Sequence, residues 1–254
     1  MVHFLTPEKV KQTMEIPNIA WPTIFLAASA LSVFLLTNLC LYKHTIDPRV
    51  GCAINIVAVF VGFTPMHDAA HQSIATNKSG GTCMSVMFPM PFPAFKHLHL
   101  QHHKHTNDPV NDVDAWASGG PWPLLPLRWA TTEIAYYCHY LPHIFERSPE
   151  EYTTALVELL GLYGLIFWLM TNGYASECLH GWVIPGRVAV FLLAFGFDYL
   201  PHRPPAGEPS PVLRGASEYT ATCVTSLFTQ SDGFLLTPVL LYQNYHNIHH
   251  LVPY

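Results

Sequence analysis

Histidine is the residue type whose number and spacing in this sequence point most directly to chemistry. The chain contains 16 histidines, more than its 12 lysines and arginines together. Half of the histidines fall in three short clusters: His67-Asp-Ala-Ala-His71, His99-Leu-Gln-His102-His103 and His246-Asn-Ile-His249-His250. On a helix, side chains spaced i, i+3 and i+4 lie on one face. Each cluster is therefore predicted to present its imidazoles together.

Clustered imidazoles indicate a nitrogen-rich metal site. Imidazole binds zinc, copper, iron and nickel, but a single zinc ion takes about four ligands. Eight imidazoles are too many for one ion, so a pair of metals is the better match. None of the six cysteines lies in a cluster, so the ligands do not favour zinc, which often binds cysteine. We therefore expect two iron ions. Replacement of iron by zinc in such a site stays an alternative.

The composition indicates that these histidines belong to a chain that faces lipid. Half of the residues are apolar and only 11% are charged, whereas soluble domains carry about 25% charged residues. An unpaired imidazole is costly in apolar surroundings, so this many require a function. The net charge of −5 argues against nucleic acid as a partner, because no basic stripe is present to neutralise phosphates.

Four apolar stretches are candidates for membrane spans, each of which needs roughly 20 residues. They cover about residues 19–42, 50–65, 153–171 and 182–200. With a cytosolic N-terminus, this order of spans places all three clusters on the cytosolic side. Nine lysines and arginines lie on that side, and only Lys43, Arg49 and Arg187 lie on the other. We predict an all-α integral membrane protein, one domain over residues 1–254, with four transmembrane helices and a cytosolic helical cap holding the metal site.

The three clusters, with their placement relative to four spans, resemble the membrane fatty acid desaturase and hydroxylase superfamily. The resemblance runs from about residue 50 to the end of the chain. Within it, three strings are similar to bacterial and cyanobacterial β-carotene hydroxylases. They are His-His-Lys-His-Thr-Asn-Asp-Pro from His102, Asp-Tyr-Leu-Pro-His-Arg-Pro from Asp198, and Gln-Asn-Tyr-His-Asn-Ile-His-His-Leu from Gln243. The Leu-Pro-His-Arg element is also similar to carotenoid ketolases.

This resemblance implies His202 as a ninth metal ligand. The implied ligand set is His67, His71, His99, His102, His103, His202, His246, His249 and His250. Desaturases carry an asparagine four residues before the histidine that corresponds to His202, close to one metal through a water. Asp198 stands there in this chain, and we expect it to be a direct ligand, a water-mediated ligand or a partner of a ligating imidazole. No catalytic side chain beyond the ligands is predicted.

Several carboxylates are candidate partners for the second ring nitrogen of a ligating histidine. Asp68, inside the first cluster, is the best of them. The alternative for Asp108, Asp112 and Asp114 is capping of turns around Asn107-Asp108-Pro109. Glu158 falls within the third span and needs either a partner there or access to water at the interface.

The implied function is O2-dependent oxidation of an unactivated C–H bond in a lipid-soluble substrate by two non-haem iron ions. Hydroxylation of a carotenoid ring is the first expectation. Acyl-lipid desaturation and carotenoid ketone formation are the nearest alternatives. Because no carrier domain is fused to the chain, electrons are expected from a ferredoxin or a cytochrome b5-like protein. The family usually continues beyond the third cluster, whereas this chain stops at Tyr254, so a truncated or absent tail is expected.

A transporter of divalent metals is the alternative from another functional class. Transporters place their binding sites near the bilayer midplane, between broken helices. The histidine clusters here are predicted beyond the ends of the spans, which argues against transport.

Overall fold

The structure, a computed structural model, describes residues 19–74, 80–202, 241 and 249–250. These residues form an all-helical fold. The predicted ligand His246 lies outside the described residues.

The first two long helices form an antiparallel pair. Helix α1 covers Trp21–Tyr42 and α2 covers Pro48–Ala70. The side chain of Asp47 caps α2 by accepting a hydrogen bond from the backbone of Arg49, and Pro48 occupies the first turn, where its missing N–H costs nothing. The second span was predicted to end near residue 65 with its helical pattern continuing into His67, and α2 does continue through Pro65 to Ala70. This continuation carries the first histidine cluster.

Short helices follow α2. They are α3 (Gly80–Ser85), α4 (Phe92–His105), α5 (Ala115–Ser118), α6 (Leu125–Trp129) and α7 (Thr132–Tyr140). Two 3₁₀ turns, Trp122–Leu124 and Leu141–Glu146, flank the last two of these helices. Helix α4 packs against α2, α7 and the third long helix, so it occupies the centre of this part of the fold.

The third and fourth long helices are α8 (Pro149–Thr171) and α9 (Ala175–Tyr199). Gly173, with a φ of 88°, permits the tight turn between them. Helix α9 begins earlier than the predicted residue 182, because the helix resumes directly after this turn. It contains two π-helical stretches, Leu179–Val183 and Ala194–Tyr199.

The first π-helical stretch of α9 is held by side chains of the opposing helices. The amide groups of Asn38 in α1 and Asn55 in α2 both donate to the Gly181 carbonyl, at 3.3 and 2.8 Å. A backbone carbonyl at membrane depth needs such a partner, because lipid offers none. The two asparagines therefore fix α9 against the first helical pair.

Helices α1, α2, α8 and α9 are each long and apolar enough to cross a membrane. This confirms the prediction of four candidate spans. One detail differs from expectation. Arg187, predicted on the side away from the histidines, lies within α9 and pairs with Glu133 of α7. Helices α6 and α7 thus pack along α9, and Trp129 of α6 contacts Phe191, Phe195 and Tyr199.

Candidate metal centre

Two histidine clusters stand at the ends of helices that converge. His67 lies in the last turn of α2, and His71 is the residue that terminates this helix. His99, His102 and His103 occupy the last two turns of α4. The i, i+3 and i+4 spacings place the imidazoles of each helix on the side that faces the other helix, as the rings of His67 and His99 show with centroids 4.6 Å apart.

The N-terminus of α4 is anchored to the third long helix. Oε2 of Glu158 accepts hydrogen bonds from the backbone N–H of Phe92 and from the Ser85 hydroxyl, at 2.7 and 3.0 Å. The first N–H groups of a helix have no partner within the helix and favour an anionic acceptor. Glu158, whose partner the sequence left open, therefore fixes the helix that carries the second histidine cluster.

Five imidazoles form the first group of converging nitrogens. The group contains His67, His71, His99, His103 and His249, whose candidate ligand atoms lie within 4.8 Å of one another. Nε2 of His99 lies 2.8 Å from Nε2 of His71 and 3.2 Å from Nε2 of His103. Neighbouring nitrogens bound to one ion at about 2.0–2.1 Å would lie about 3 Å apart. The spacing is that of ligands arranged around one metal ion.

A second group lies beside the first. It contains His102, His202 and His250, and Nε2 of His102 lies 3.2 Å from Nε2 of His250. His202 follows the C-terminal end of α9, so the ends of α2, α4 and α9 contribute to one centre. The resemblance that implied His202 had no support from spacing, because 99 positions separate it from His103. The fold brings its ring centroid to 4.9 Å from that of His102.

Most of these imidazoles are held in the neutral form that binds metals. Burial lowers the pKa of His71 to about 3 and that of His249 to about 2, with neighbouring imidazoles acting in the same direction. Burial also lowers the pKa values of His99, His103 and His202. A ligating histidine must be neutral, so this environment suits metal binding.

His102 differs from the other imidazoles because two carboxylates face it. Burial alone would lower its pKa, but Asp112 and Asp114 raise the pKa to about 9. Nδ1 of His102 lies 2.9 Å from Oδ1 of Asp112 and 3.4 Å from Oδ2 of Asp114. An N–H donated from Nδ1 to Asp112 leaves Nε2 free to bind a metal, the arrangement typical of ligating histidines.

The carboxylates predicted from sequence have different roles in the structure. Asp68 lies 3.5 Å from Nδ1 of His67 and accepts a hydrogen bond from the Thr23 hydroxyl at 3.1 Å. The closer partner of a ligating histidine is Asp112, which sequence analysis ranked below Asp68. Asp108 caps an exposed turn by accepting from the backbone of Val110, as one alternative predicted. Asp198 is in neither group of converging nitrogens among the described residues, and instead lines the cavity beside them.

Tyr136 was missed by the sequence analysis. Its buried hydroxyl donates a hydrogen bond to Asp114. No spacing rule connects a tyrosine in α7 with an aspartate 22 positions earlier, so the sequence contained no usable signal. The contact fixes one of the two carboxylates that face His102.

Four of the described histidines outside the clusters have contacts of other kinds. His97 lies off the ligand face of α4 and packs against the ring of Tyr140. His139 and His180 bond to backbone carbonyls of their own helices, and His143 pairs with Glu146 at the surface. These contacts account for them without a metal.

An apolar cavity of about 60 Å³ adjoins the histidine groups. Phe63 of α2 contributes to its wall, with its ring 5.8 Å from those of Phe95 and Phe197. The imidazoles of His67, His99 and His102 also line the cavity. The cavity therefore offers an apolar molecule a position next to the nitrogens.

The histidines fit the metal that the sequence implied. Among the described residues, neither ring nitrogen of buried His67 has a hydrogen-bond partner, although Asp68 lies near. An unsatisfied buried imidazole is costly, and a metal ion would remove that cost. Nitrogen donors without cysteine suit iron or zinc.

Comparison with known proteins gives a family for this arrangement. A curated relative, dihydrorhizobitoxine desaturase of Bradyrhizobium elkanii, is 24% identical over 223 residues, which cover 75% of this chain. The chain spans 59% of that relative's length. The model of the family described as "Fatty acid desaturase" matches residues 48–254, a range that contains every predicted histidine ligand. The chain therefore belongs to the fatty acid desaturase family.

Proposed function

We propose that this chain oxidises an unactivated C–H bond of a lipid-soluble substrate, using O2 and two non-haem iron ions. The proposed ligands are the nine histidines at positions 67, 71, 99, 102, 103, 202, 246, 249 and 250. The observation that carries the proposal is the grouping of eight of them into two sets of converging nitrogens next to an apolar cavity. Desaturases of this family generally use two irons, which agrees with two sets.

Bound iron would supply the redox chemistry with O2, using electrons from an external ferredoxin or cytochrome b5-like donor. The chain's own residues supply position and surroundings. Asp112 orients His102, and Glu158 holds the helix that carries His99, His102 and His103. Aromatic side chains around Phe63 line the cavity, so that an apolar substrate carbon can rest beside the proposed metal ligands.

Two outcomes of such an oxidation are candidates. The strings beginning at His102, Asp198 and Gln243 favour hydroxylation of a carotenoid ring, with ketone formation as a variant. The relative named as a desaturase favours formation of a double bond in a lipid-soluble chain. Expression in bacteria that produce β-carotene distinguishes the outcomes. New hydroxylated or keto pigments support the first, and altered acyl unsaturation supports the second.

Metal content tests the oxidation class itself. Purified chain should contain about two iron ions, and His102→Ala should abolish product formation. Fewer than about two ions per chain, or full activity of the His102→Ala variant, would contradict the proposal. Transport of divalent metal would require a site near the bilayer midplane that opens to each side in turn. The grouped histidines at the ends of α2, α4 and α9 do not favour that alternative.

The proposal also places the metal centre on the cytosolic side. The lysine and arginine distribution supports this orientation. A single cysteine introduced at Thr45, in the exposed turn between α1 and α2, should react with a membrane-impermeant maleimide from the extracytosolic side of a chain otherwise free of cysteine. Reaction only from the cytosolic side would reverse the orientation.

A further inference from the structure

Glu133 is a buried carboxylate in the wall of the apolar cavity. It lies in the first turn of α7 and is 2% exposed. The same cavity wall contains Phe63, Phe88, Phe95 and Phe197. A carboxylate in such surroundings is costly unless its charge is paired and its oxygens accept hydrogen bonds.

Only half of this requirement is met among the described residues. Arg187 of α9 pairs with Oε1 of Glu133, which balances the charge of the carboxylate. Oε2 of Glu133 is buried and has no hydrogen-bond partner in the part of the chain that the structure describes.

Two other polar groups of the cavity wall, Asp114 and Thr132, have hydrogen-bond partners. Asp114 accepts a hydrogen bond from Tyr136 and faces His102. The Thr132 hydroxyl donates to the backbone carbonyls of Arg128 and Trp129. Glu133 differs from these two residues because its Oε2 is a buried acceptor with unused capacity among the described residues.

We propose that Glu133 binds a hydrogen-bond donor, a hydroxyl or an amino group, on the otherwise apolar substrate. The inference rests on the proposed function, because it takes the cavity as the substrate site. It also narrows the substrate class. A pure hydrocarbon would leave Oε2 buried and unsatisfied, whereas a substrate with one polar group would satisfy it and be fixed in register with the histidines.

Direct binding of small probes tests this inference without turnover. The full chain, loaded with iron in nanodiscs of zwitterionic lipid, is incubated with radiolabelled dodecan-1-ol, dodecylamine or dodecane. Empty nanodiscs give the background. A hydrogen bond to a charged group predicts retention of the alcohol or the amine at least about tenfold above that of the alkane. The relative retention of alcohol and amine distinguishes the two donors.

The critical variant is the double substitution Glu133→Leu with Arg187→Met, which removes the acceptor without leaving a buried charge unpaired. It should abolish the preference for the polar probes. Glu133→Gln keeps the shape of the side chain and one weaker acceptor, so it should reduce the preference for the polar probes. It replaces the double variant in this test if the double variant does not fold. The matched control, Glu151→Leu with Arg147→Met, removes an ion pair at 2.8 Å that lies outside the cavity. This control should keep the preference for the polar probes.

Equal retention of all three probes, or a preference that survives in the double variant, would overturn the inference. Iron content and product formation are measured separately. A chain that lacks iron but retains dodecan-1-ol through Glu133 would contradict the proposed oxidation and leave the binding site standing. A chain that oxidises its substrate, but whose probe binding does not depend on Glu133, would support the proposed oxidation and contradict the binding site.

Discussion

Nδ1 of His102 lies 2.9 Å from Oδ1 of Asp112, and both side chains are almost fully buried. Asp112 also accepts hydrogen bonds from the backbone N–H groups of Asn107 and Asp114. The turn after α4 thus folds back and fixes the tautomer and orientation of one imidazole of that helix.

Asp112→Asn should weaken metal binding about 10–100-fold, the usual effect of removing an outer partner of a ligating histidine. The amide cannot stabilise the Nδ1–H form of His102 as the carboxylate does. Iron retained in competition with a chelator of known affinity measures the change. Asp108→Asn, in the exposed part of the same turn, is the control and should keep its iron. Equal losses in both variants would mean that the turn, not the contact with His102, matters.

The substitution His67→Leu tests whether His67 is a metal ligand or an ordinary core histidine. Leucine has a similar size and no polar atoms, so it removes two ring nitrogens that lack hydrogen-bond partners in the described structure. For a core histidine, the exchange would leave iron content unchanged. We expect loss of iron together with an unchanged or higher thermal midpoint of the metal-free chain. His97→Leu, off the ligand face of α4, should retain full iron content.

Glu158→Ala should destabilise the fold by about 0.5–2 kcal/mol, the range found when a helix loses its N-terminal acceptor. The backbone N–H of Phe92 and the Ser85 hydroxyl would both lose their acceptor. Chemical denaturation measures the loss, and metal affinity should fall as well because α4 carries three proposed ligands. Glu146→Ala removes an exposed carboxylate that pairs with His143 at the surface. An equal effect of that substitution would contradict a specific role for Glu158.

The sequence predicted the parts of this molecule that depend on local pattern. Long apolar runs predicted α1, α2, α8 and α9, and the i, i+3, i+4 spacing predicted which imidazoles share a face. The second span was predicted to end near residue 65 with a helical pattern that continues into His67, and Pro65 lies inside α2. Proline is tolerated in apolar helices when neighbouring groups satisfy the backbone, and α2 continues to Ala70.

Contacts between distant segments could not be predicted from the sequence. Glu133 and Arg187 are 54 positions apart, and nothing local indicates that α7 packs beside α9. Glu158 and Phe92 are 66 positions apart and meet only because α4 docks on α8. Asp112 was recognisable as a candidate, but only the geometry of the turn distinguishes it from Asp68.

Removal of metal should lower the thermal midpoint of the chain. The proposed ligands come from the ends of α2, α4 and α9 and from residues 249–250, so a bound metal would cross-link four parts of the fold. Ligand binding to the folded state alone adds about 4 kcal/mol at a free metal concentration 1,000 times the dissociation constant. Differential scanning fluorimetry before and after chelation measures the shift. Adding zinc to the metal-free chain should restore the thermal midpoint but not the activity. A midpoint that does not shift on chelation would contradict a metal that bridges these helices.

Ala194→Leu should block the cavity while leaving the metal centre intact. Ala194 is 1% exposed and lines the cavity beside Leu193 and Phe197. Three added carbons in about 60 Å³ of space leave little room for a substrate. We expect product formation to fall at least about tenfold with iron content unchanged, measured on the same preparation. Gly196→Ala is the matched control two residues along the helix, because a Cβ there meets no atom within 4 Å. Normal activity of Ala194→Leu would place substrate oxidation outside this cavity, and loss of iron would show that the substitution disturbs the histidines instead.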